Sequence, residues 1–347
     1  LESAAIVSDR ALQRALAQAA DEIQKLVYEG AGAADSMLEA AERKIFALGK
    51  DRFNGGLEPV ATVVQRVYDG ISEAANSDSS TPGISTGIRE LDSTILGMGP
   101  GDFILVASRP GMGKTSIGLN IALSAAKSTG RTVAVFSLEM TREQLVMRLL
   151  AGEGLVDSKK LQTGRLSNDE WQRVGAAAGV LSGTDIRIDD NPSLTVSEMN
   201  AQCRRLKNLG LIVIDYLQLM QSAGSGNSWA NESRTQAVSD ISRMIKIMAK
   251  ELGVPVLCLS QLSRANESRQ NKRPMLSDLR ESGAIEQDAD VVMGIYREGY
   301  YNAECENPNE AELIILKNRR GQTGTINLMW LPEYTSFVAV DRRHDDD

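Results

Sequence analysis

Apolar residues in the first fifty positions recur at helical spacing. One predicted helix begins near Asp9, and a second begins at Ser36, where Ser-Met-Leu-Glu has the spacing of a capping box. The apolar face of the first helix consists of Leu12, Leu16, Ile23, Leu26 and Val27. Both apolar faces are narrow, so residues 1–54 are interpreted as the helical remnant of an N-terminal domain.

Residues 55–82 are interpreted as a linker that contains one amphipathic helix. The helix is predicted over residues 59–75, between an Asn-Gly-Gly stretch and a Ser-rich stretch that ends at Gly83. Its apolar face consists of Val60, Val63, Val64, Val67, Tyr68 and Ile71. The pattern allows two interpretations, because this face could pack on its own domain or dock on a neighbouring subunit.

From Gly83 onward, short apolar runs alternate with helical patterns. Strands are predicted at 103–107, 133–138, 211–215, 254–259 and 291–296, with helices at 115–127, 142–151 and 235–252 and a hairpin over 313–330. This order predicts an α/β fold with a mostly parallel sheet flanked by helices. The predicted domain covers residues 83–341, and residues 342–347 form an acidic tail.

Composition narrows the classes of chemistry. The chain carries 38 Lys and Arg against 46 Asp and Glu, a net charge of −8, so any nucleic-acid contact must rest on local basic clusters. Its single histidine lies in the acidic tail, which excludes histidine-based catalysis and histidine metal sites. Three scattered cysteines, with no signal peptide or membrane-spanning run recognised, favour a cytoplasmic location.

A phosphate-binding loop is the strongest motif. It follows a predicted strand, opens a predicted helix and consists of Ser108, Arg109, Pro110, Gly111, Met112, Gly113, Lys114, Thr115 and Ser116. The glycines let backbone N–H groups point at phosphate oxygens, Lys114 supplies a positive charge, and the Thr115 hydroxyl can ligate Mg²⁺. The general pattern begins with Gly, where this chain has Ser108. We expect ATP and Mg²⁺ here.

Polar residues at three other strand ends complete a hydrolytic site. Asp215 ends a buried strand and is the candidate Mg²⁺ partner, although a strand-terminal turn would also explain it. Glu139 is the candidate base that activates water, against a simple helix-start glutamate. Gln261 could sense the γ-phosphate through a neutral amide, or lie on the surface.

Two basic stretches stand out in this acidic chain. The first runs from Arg264 to Arg280 and has no aromatic residues for base stacking, so it predicts contacts with a nucleic-acid backbone or else a solvated surface. A Gly- and Ser-rich loop at residues 221–231 could face the same channel. The second stretch, Lys317 to Gly321, lies at the hairpin tip and is either an arginine finger or a solubilising turn.

Four segments together resemble the DnaB family of replicative helicases. These are residues 107–115 (ASRPGMGKT), 136–140 (FSLEM), 214–220 (IDYLQLM) and 277–290 (SDLRESGAIEQDAD), in the family's order. The last is the most discriminating, because other RecA-like ATPases share the P-loop but lack this run. The resemblance covers residues 85–338 well and extends loosely back to residue 10.

The resemblance implies a RecA-like motor that works as a homohexameric ring with ATP sites between subunits. Lys114, Thr115, Glu139, Asp215 and Gln261 would act in cis, and Lys317 and Arg319 would act on the neighbour's site. Arg280, Glu281 and Gly283 match the loop that holds the DNA backbone. The helix at 59–75 matches a linker helix docked on the adjacent protomer. Movement would be 5′ to 3′ on single-stranded DNA at a replication fork, with a primase and a helicase loader as partners, in a bacterium or a phage host.

One departure leaves the finger ambiguous, because Arg320 stands where the family's pattern leads us to expect a small polar residue. Two rival functions are also considered. A strand-exchange recombinase would share the P-loop and Asp215 but not the 278–290 run. A non-hydrolysing assembly protein would have no need of Glu139.

Overall fold

The computed structural model describes residues 14, 16–25, 28, 41, 58–76, 81–215, 232–302 and 304–340. Within these ranges, the side chains of residues 73–76, 232–236, 264–265 and 280–284 lie outside the description. The chain divides into two compact units, Leu1–Asp78 and Ser79–Asp347. The predicted helix start at Ser36 lies outside the described residues.

The first unit is helical in its described part. Residues 16–25 are helical, and helix α1 spans Val60–Asn76, where the linker helix is predicted. Most of its apolar face is exposed, with Val60, Val64, Val67, Tyr68 and Ile71 between 55% and 76% accessible, whereas Val63 is partly buried. An exposed apolar face of this size is typical of a docking surface. Which surface it docks on, its own domain or a neighbouring subunit, stays a prediction.

The second unit alternates helices and strands. Its helices are α2 (Arg89–Ile95), α3 (Lys114–Thr129), α4 (Arg142–Gly154), α5 (Ser158–Thr163), α6 (Asn168–Ser182), α7 (Val196–Arg204), α8 (Glu232–Leu252), α9 (Gly283–Asp288) and α10 (Glu298–Tyr301). Its strands are β1 (Phe103–Ser108), β2 (Thr132–Ser137), β3 (Ile186–Asp189), β4 (Leu209–Asp215), β5 (Val256–Gln261), β6 (Val291–Tyr296), β7 (Glu310–Asn318), β8 (Gly324–Leu331) and β9 (Ser336–Ala339). Two 3₁₀ segments, Arg264–Ser268 and Leu276–Ser282, connect β5 to α9.

These strands form one nine-stranded sheet in the order β3-β2-β4-β5-β1-β6-β7-β8-β9. Neighbouring strands from β3 through β6 pair in parallel, and β7, β8 and β9 extend the sheet with antiparallel pairs. The α/β, mostly parallel sheet predicted from the sequence is confirmed. The predicted hairpin is the β7–β8 pair.

The central strands are buried on both faces, which explains their unbroken apolar sequences. In β1, Ile104 and Val106 face a core that includes Ile117 and Ile121 of α3. Phe103 and Leu105 face the opposite core, which α7 and α8 complete. Because successive side chains of β1 point into the two cores in turn, this strand is packed on both faces. The P-loop therefore begins at the end of a rigid central strand.

The apolar pattern does not predict the helices and the strand that lie between residues 155 and 208. It contains α5, α6, β3 and α7, and β3 is only four residues long with polar residues at alternate positions. Capping boxes at Ser167 and Thr195 begin α6 and α7, so these helix starts could have been recognised from the Ser-x-x-Glu and Thr-x-x-Glu spacings.

Candidate active site

The polar residues predicted at strand ends meet along one edge of the sheet. The strands β2, β4, β5 and β1 are consecutive neighbours, and all run in the same direction. Their carboxyl ends carry, in this order, Glu139, Asp215, Gln261 and the P-loop. Residues that are far apart in sequence therefore line one crevice, as expected at the carboxyl edge of a parallel sheet.

The P-loop backbone has the shape needed to surround a phosphate. Gly111 and Gly113 adopt left-handed conformations, with φ of 77° and 97°, and α3 begins at Lys114. A Cβ at Gly113 would lie 2.7 Å from the ring of Phe337, so β9 packs directly beneath the loop. The glycines are required both by backbone conformation and by close packing.

The other side chains of the P-loop hold its frame. Ser108 is buried, and its hydroxyl donates to the carbonyl of Arg109 at 3.1 Å. Arg109 is also buried, and its guanidinium donates to Glu267 and to the Leu262 carbonyl, each at 2.8 Å. The guanidinium of Arg109 is thus directed into the protein, and it fastens the loop to the segment after β5.

Lys114, Thr115 and Asp215 form the centre of the crevice. The Lys114 amine lies 2.8 Å from one oxygen of the Asp215 carboxylate, and the Thr115 hydroxyl donates to the other at 2.6 Å. The Asp215 side chain is only 3% exposed. A hydroxyl beside a buried carboxylate offers the hard oxygen ligands that Mg²⁺ prefers, so these residues fit the ion.

Glu139 lies in a turn that a buried serine holds in place. The Ser137 hydroxyl accepts from the Met140 N–H at 3.1 Å and donates to the Met140 carbonyl at 2.7 Å. Asp215 binds the same turn, because its carbonyl accepts from the Leu138 N–H at 2.7 Å. The Glu139 side chain is exposed, so it can approach a bound water.

Arg148 is a member of this site that the sequence reasoning missed. It lies on α4, is partly buried, and is close enough to feel the charges of both Asp215 and Glu139. Burial lowers the pKa of Arg148, and the two carboxylates partly oppose that shift. The signal available in the sequence was its position in the helix directly after the Glu139 turn.

Gln261 is the last residue of β5 and is paired in register with Ser108, the first residue of the P-loop. The neutral amide is therefore beside the loop, as the γ-phosphate hypothesis requires. Its side chain is partly buried.

Lys317 and Arg319, the two candidates for the finger, lie at the end of the sheet where the parallel strands begin, opposite the end that carries the P-loop. Lys317 pairs in register with Val292, near the start of β6, and Val291 in turn lies beside Ile104. Four residues of β1 separate that level from Ser108, roughly 13 Å along the strand at about 3.3 Å per residue. Lys317 and Arg319 therefore lie far from the P-loop of their own chain.

Arg320 is held away from the other two. Its guanidinium donates to Asp102 at 2.5 Å, and it packs against the backbone at Gly99. Burial raises the pKa of Asp102, whereas a hydrogen bond from Gly99 and the charge of Arg320 oppose that rise. In the structure, Arg320 is therefore bound to a buried carboxylate of its own subunit.

The basic stretch after β5 is largely paired within the protein. Arg269 binds Asp278 at 2.7 Å, Arg273 binds Glu312 at 2.5 Å, and the Lys272 amine lies 4.5 Å from the ring centre of Tyr301. These three cations stabilise the loop. The side chains of Arg280, Glu281 and Gly283, and the whole 221–231 loop, lie outside the described residues.

Two further observations concern the described part of the chain. It contains no group of three or more His, Cys, Asp or Glu residues that could hold a metal ion. In that same part, none of the helices combines the length and apolarity that crossing a membrane demands.

Comparison with known proteins agrees with this geometry. The family described as "DnaB-like helicase C terminal domain" matches residues 83–339. "Replicative DNA helicase DnaB" of Geobacillus stearothermophilus and "Replicative DNA helicase DnaC" of Bacillus subtilis are each 46% identical over 99% of this chain and 75% of their own length.

Two solved structures are also similar. One is an ATPase domain with a TM-score of 0.76 and 36% identity, over 82% of this chain and 100% of its own. "The Structure Of A DnaB-Like Replicative Helicase And Its Interactions With Primase" has a TM-score of 0.81 and 34% identity over 97% of this chain and 78% of its own. With its RecA-like sheet, its P-loop and the match over residues 83–339, the chain belongs to the family of DnaB-like replicative helicases.

Proposed function

We propose that residues 83–341 are the motor of a replicative DNA helicase that closes into a homohexameric ring and moves 5′ to 3′ on single-stranded DNA. The function as an ATP-driven replicative helicase motor follows from family membership. The single observation that carries the subunit arrangement is the location of Lys317 and Arg319, on the sheet edge opposite their own P-loop.

Within one subunit, the crevice divides the work of hydrolysis. The P-loop N–H groups and Lys114 would bind and orient the phosphates. Thr115 and Asp215 would hold Mg²⁺, which when bound neutralises phosphate charge. Glu139 would accept the proton of the attacking water, with Arg148 nearby to hold the carboxylate, and Gln261 would contact the γ-phosphate without adding charge.

Between subunits, the far edge of one sheet would meet the crevice of the next. Lys317 and Arg319 would then supply positive charge to the neighbour's transferring phosphate, the role of an arginine finger in trans. We assign this role to Lys317 and Arg319, which match the family's finger positions, and not to Arg320, which pairs with Asp102 at the other side of the hairpin tip. The exposed apolar face of α1 supports a second contact between subunits, on the adjacent protomer.

Arg280, Glu281 and Gly283 are proposed to hold the DNA backbone in the ring's channel. The 3₁₀ segment 276–282 and the start of α9 carry them. Because Arg269 and Arg273 are paired internally, the contact with DNA would rest on few cations and would show little sequence preference. We also propose that the helicase binds a primase and a helicase loader, and that it works in the cytoplasm of a bacterium or a phage host.

The decisive experiment measures ATP hydrolysis with and without single-stranded DNA, beside a Lys114→Ala variant. We expect hydrolysis that DNA stimulates and that the variant lacks. Hydrolysis that ignores DNA would contradict the proposed channel contact, and hydrolysis that survives in Lys114→Ala would contradict the assignment of the P-loop.

Mixed rings test the finger. Arg319→Ala subunits keep a complete crevice, and Lys114→Ala subunits keep the finger, so a mixture of two inactive proteins should regain part of the activity at mixed boundaries. A mixture that stays inactive would show that Arg319 acts within its own subunit. Mixing Arg320→Ala with Lys114→Ala is the matched control, in which we expect only the activity of Arg320→Ala itself, diluted.

A further inference from the structure

Lys317 is bound to the carboxyl end of helix α9. Its amine donates to the carbonyls of Glu286 at 2.5 Å and Ala289 at 2.7 Å, with Gln287 at 3.4 Å. The last carbonyls of a helix have no partner within it, and they carry a partial negative charge that a lysine satisfies. Lys317 therefore closes the last turn of α9.

Arg319 reinforces the same end. It donates to the carbonyl of Gln287 and lies 3.2 Å from one oxygen of Asp290. The other oxygen of Asp290 accepts from the Phe103 N–H at 2.8 Å and from the Lys246 amine at 2.5 Å. If Arg319 leaves, Asp290 keeps these two donors, so its departure does not leave a buried carboxylate without partners.

Helix α9 directly continues the proposed DNA segment, since Leu276–Ser282 ends where Gly283 begins. The body of α9 is anchored independently, because Ile285 is fully buried and Ser242 donates to Asp288 at 2.7 Å. Loosening its carboxyl end would therefore change the mobility and tilt of α9 without detaching it.

We propose that the carboxyl end of α9 is a resting site for Lys317 and Arg319, and that their transfer to a phosphate in the neighbouring subunit's crevice releases the DNA-facing segment of their own subunit. This inference rests on the proposed function. It gives the finger pair two binding sites: neutral carbonyls and Asp290 in cis, and phosphate oxygens in trans.

The energetic direction of the transfer follows from charge. The phosphates of a nucleotide bear several full negative charges, whereas the resting site offers helix carbonyls with a fraction of one charge and the Asp290 carboxylate, which Lys246 already neutralises in part, so a nucleotide competes for the two cations. Burial lowers the pKa of Lys317, and the adjacent positive charge of Arg319 lowers it further, so the two cations repel each other at this site. The segment holding DNA and the contact with the neighbour's nucleotide are thereby coupled through one helix.

The first test is hydrogen–deuterium exchange of the full chain without nucleotide or DNA. If Lys317 closes α9, Lys317→Met should speed exchange of the amides in 283–290 about tenfold, the effect of losing one net hydrogen bond of a charged donor. Lys127→Met is the matched control, because Lys127 lies in the last turn of α3 and pairs with Glu153. Equal exchange in wild type and Lys317→Met would overturn the inference.

The second test adds ATPγS with Mg²⁺. Exchange at 283–290 should rise in wild type toward the level of Lys317→Met, rise no further in Lys317→Met, and stay unchanged in Lys114→Ala. Unchanged or slower exchange in wild type with ATPγS bound would overturn the transfer. Failure of this inference and failure of the proposed function give different results. If the proposed function is wrong, DNA does not stimulate ATP hydrolysis, whereas the first exchange test measures the contact between Lys317 and α9 without nucleotide or DNA.

Discussion

Gly113→Ala tests whether the P-loop is shaped by β9 as well as by its own backbone. Gly113 is the N-cap residue of α3 and has a φ of 97°, and an added Cβ would lie 2.7 Å from the Phe337 ring and 3.2 Å from the Trp330 ring. The two rings pack on each other with centres 4.7 Å apart, so neither can move freely. The substitution therefore adds both backbone strain and an overlap.

The expected change in the free energy of unfolding combines two costs, the backbone strain and the overlap, with one smaller gain from the unfolded chain. Forcing alanine into a left-handed conformation costs about 1–2 kcal/mol. Overpacking a close-packed site costs about 1–3 kcal/mol. The reduced freedom of the unfolded chain returns about 0.4–1 kcal/mol. We therefore expect Gly113→Ala to lower the free energy of unfolding by roughly 1–5 kcal/mol and to abolish ATP binding.

Gly130→Ala is the matched control. Gly130 ends the same helix with φ of 61°, and an added Cβ there meets nothing within 4 Å. Gly130→Ala therefore adds backbone strain without an overlap. The difference between the two variants in the free energy of unfolding then measures the overlap with Phe337. Urea unfolding followed by tryptophan fluorescence measures both, and a fluorescent ATP analogue measures binding.

A double-mutant cycle completes the test. Phe337→Leu removes the ring edge, so Gly113→Ala should cost about 1 kcal/mol less in that background than in wild type. Equal destabilisation by Gly113→Ala and Gly130→Ala, or additive effects with Phe337→Leu, would refute the argument that β9 shapes the loop.

Three other outcomes are expected. Arg320→Ala should keep ATP turnover and cost about 1–2 kcal/mol of stability, because the Arg320 side chain is half exposed, whereas Asp102 is buried and keeps its hydrogen bond from the Gly99 N–H. A turnover loss as large as that of Arg319→Ala would contradict the assignment of the finger to Arg319 and not Arg320. Arg148→Met should lower turnover at least about tenfold while ATP binding persists, since it removes the cation beside Asp215 and Glu139, the carboxylates proposed to hold Mg²⁺ and to activate water. Unchanged single-turnover rates would contradict a role of Arg148 in hydrolysis. The pKa of Glu170 is lowered to about 2, first by its hydrogen bond from Lys160. That carboxylate therefore stabilises the fold above its ordinary pKa of 4.5, and the contribution is lost as pH falls toward 2. Glu170→Gln should flatten the pH dependence of urea midpoints in this range, and an unchanged slope would contradict the pairing.

In the two basic stretches, the sequence shows where positive charges lie but does not show what each charged side chain binds. Arg269 and Arg273 belong to a cluster that suggested contact with nucleic acid, but each binds a carboxylate from elsewhere in the chain. Arg319 and Arg320 are adjacent in sequence, yet one binds the end of α9 and the other binds Asp102. Pairing partners at sequence separations of up to 218 positions cannot be read from composition.

The sequence by itself determined the P-loop, the strand ends that carry Glu139, Asp215 and Gln261, and the parallel α/β class, because each depends on local spacing and on runs of apolar residues. The resemblance in the 277–290 segment, which led to the family, is also local. Only the tertiary structure decided which strand ends are neighbours, where Arg148 lies, and that β9 packs beneath Gly113. It also decided that Lys317 and Arg319 lie across the sheet from their own P-loop, since strand order and register join distant segments through hydrogen bonds and packing.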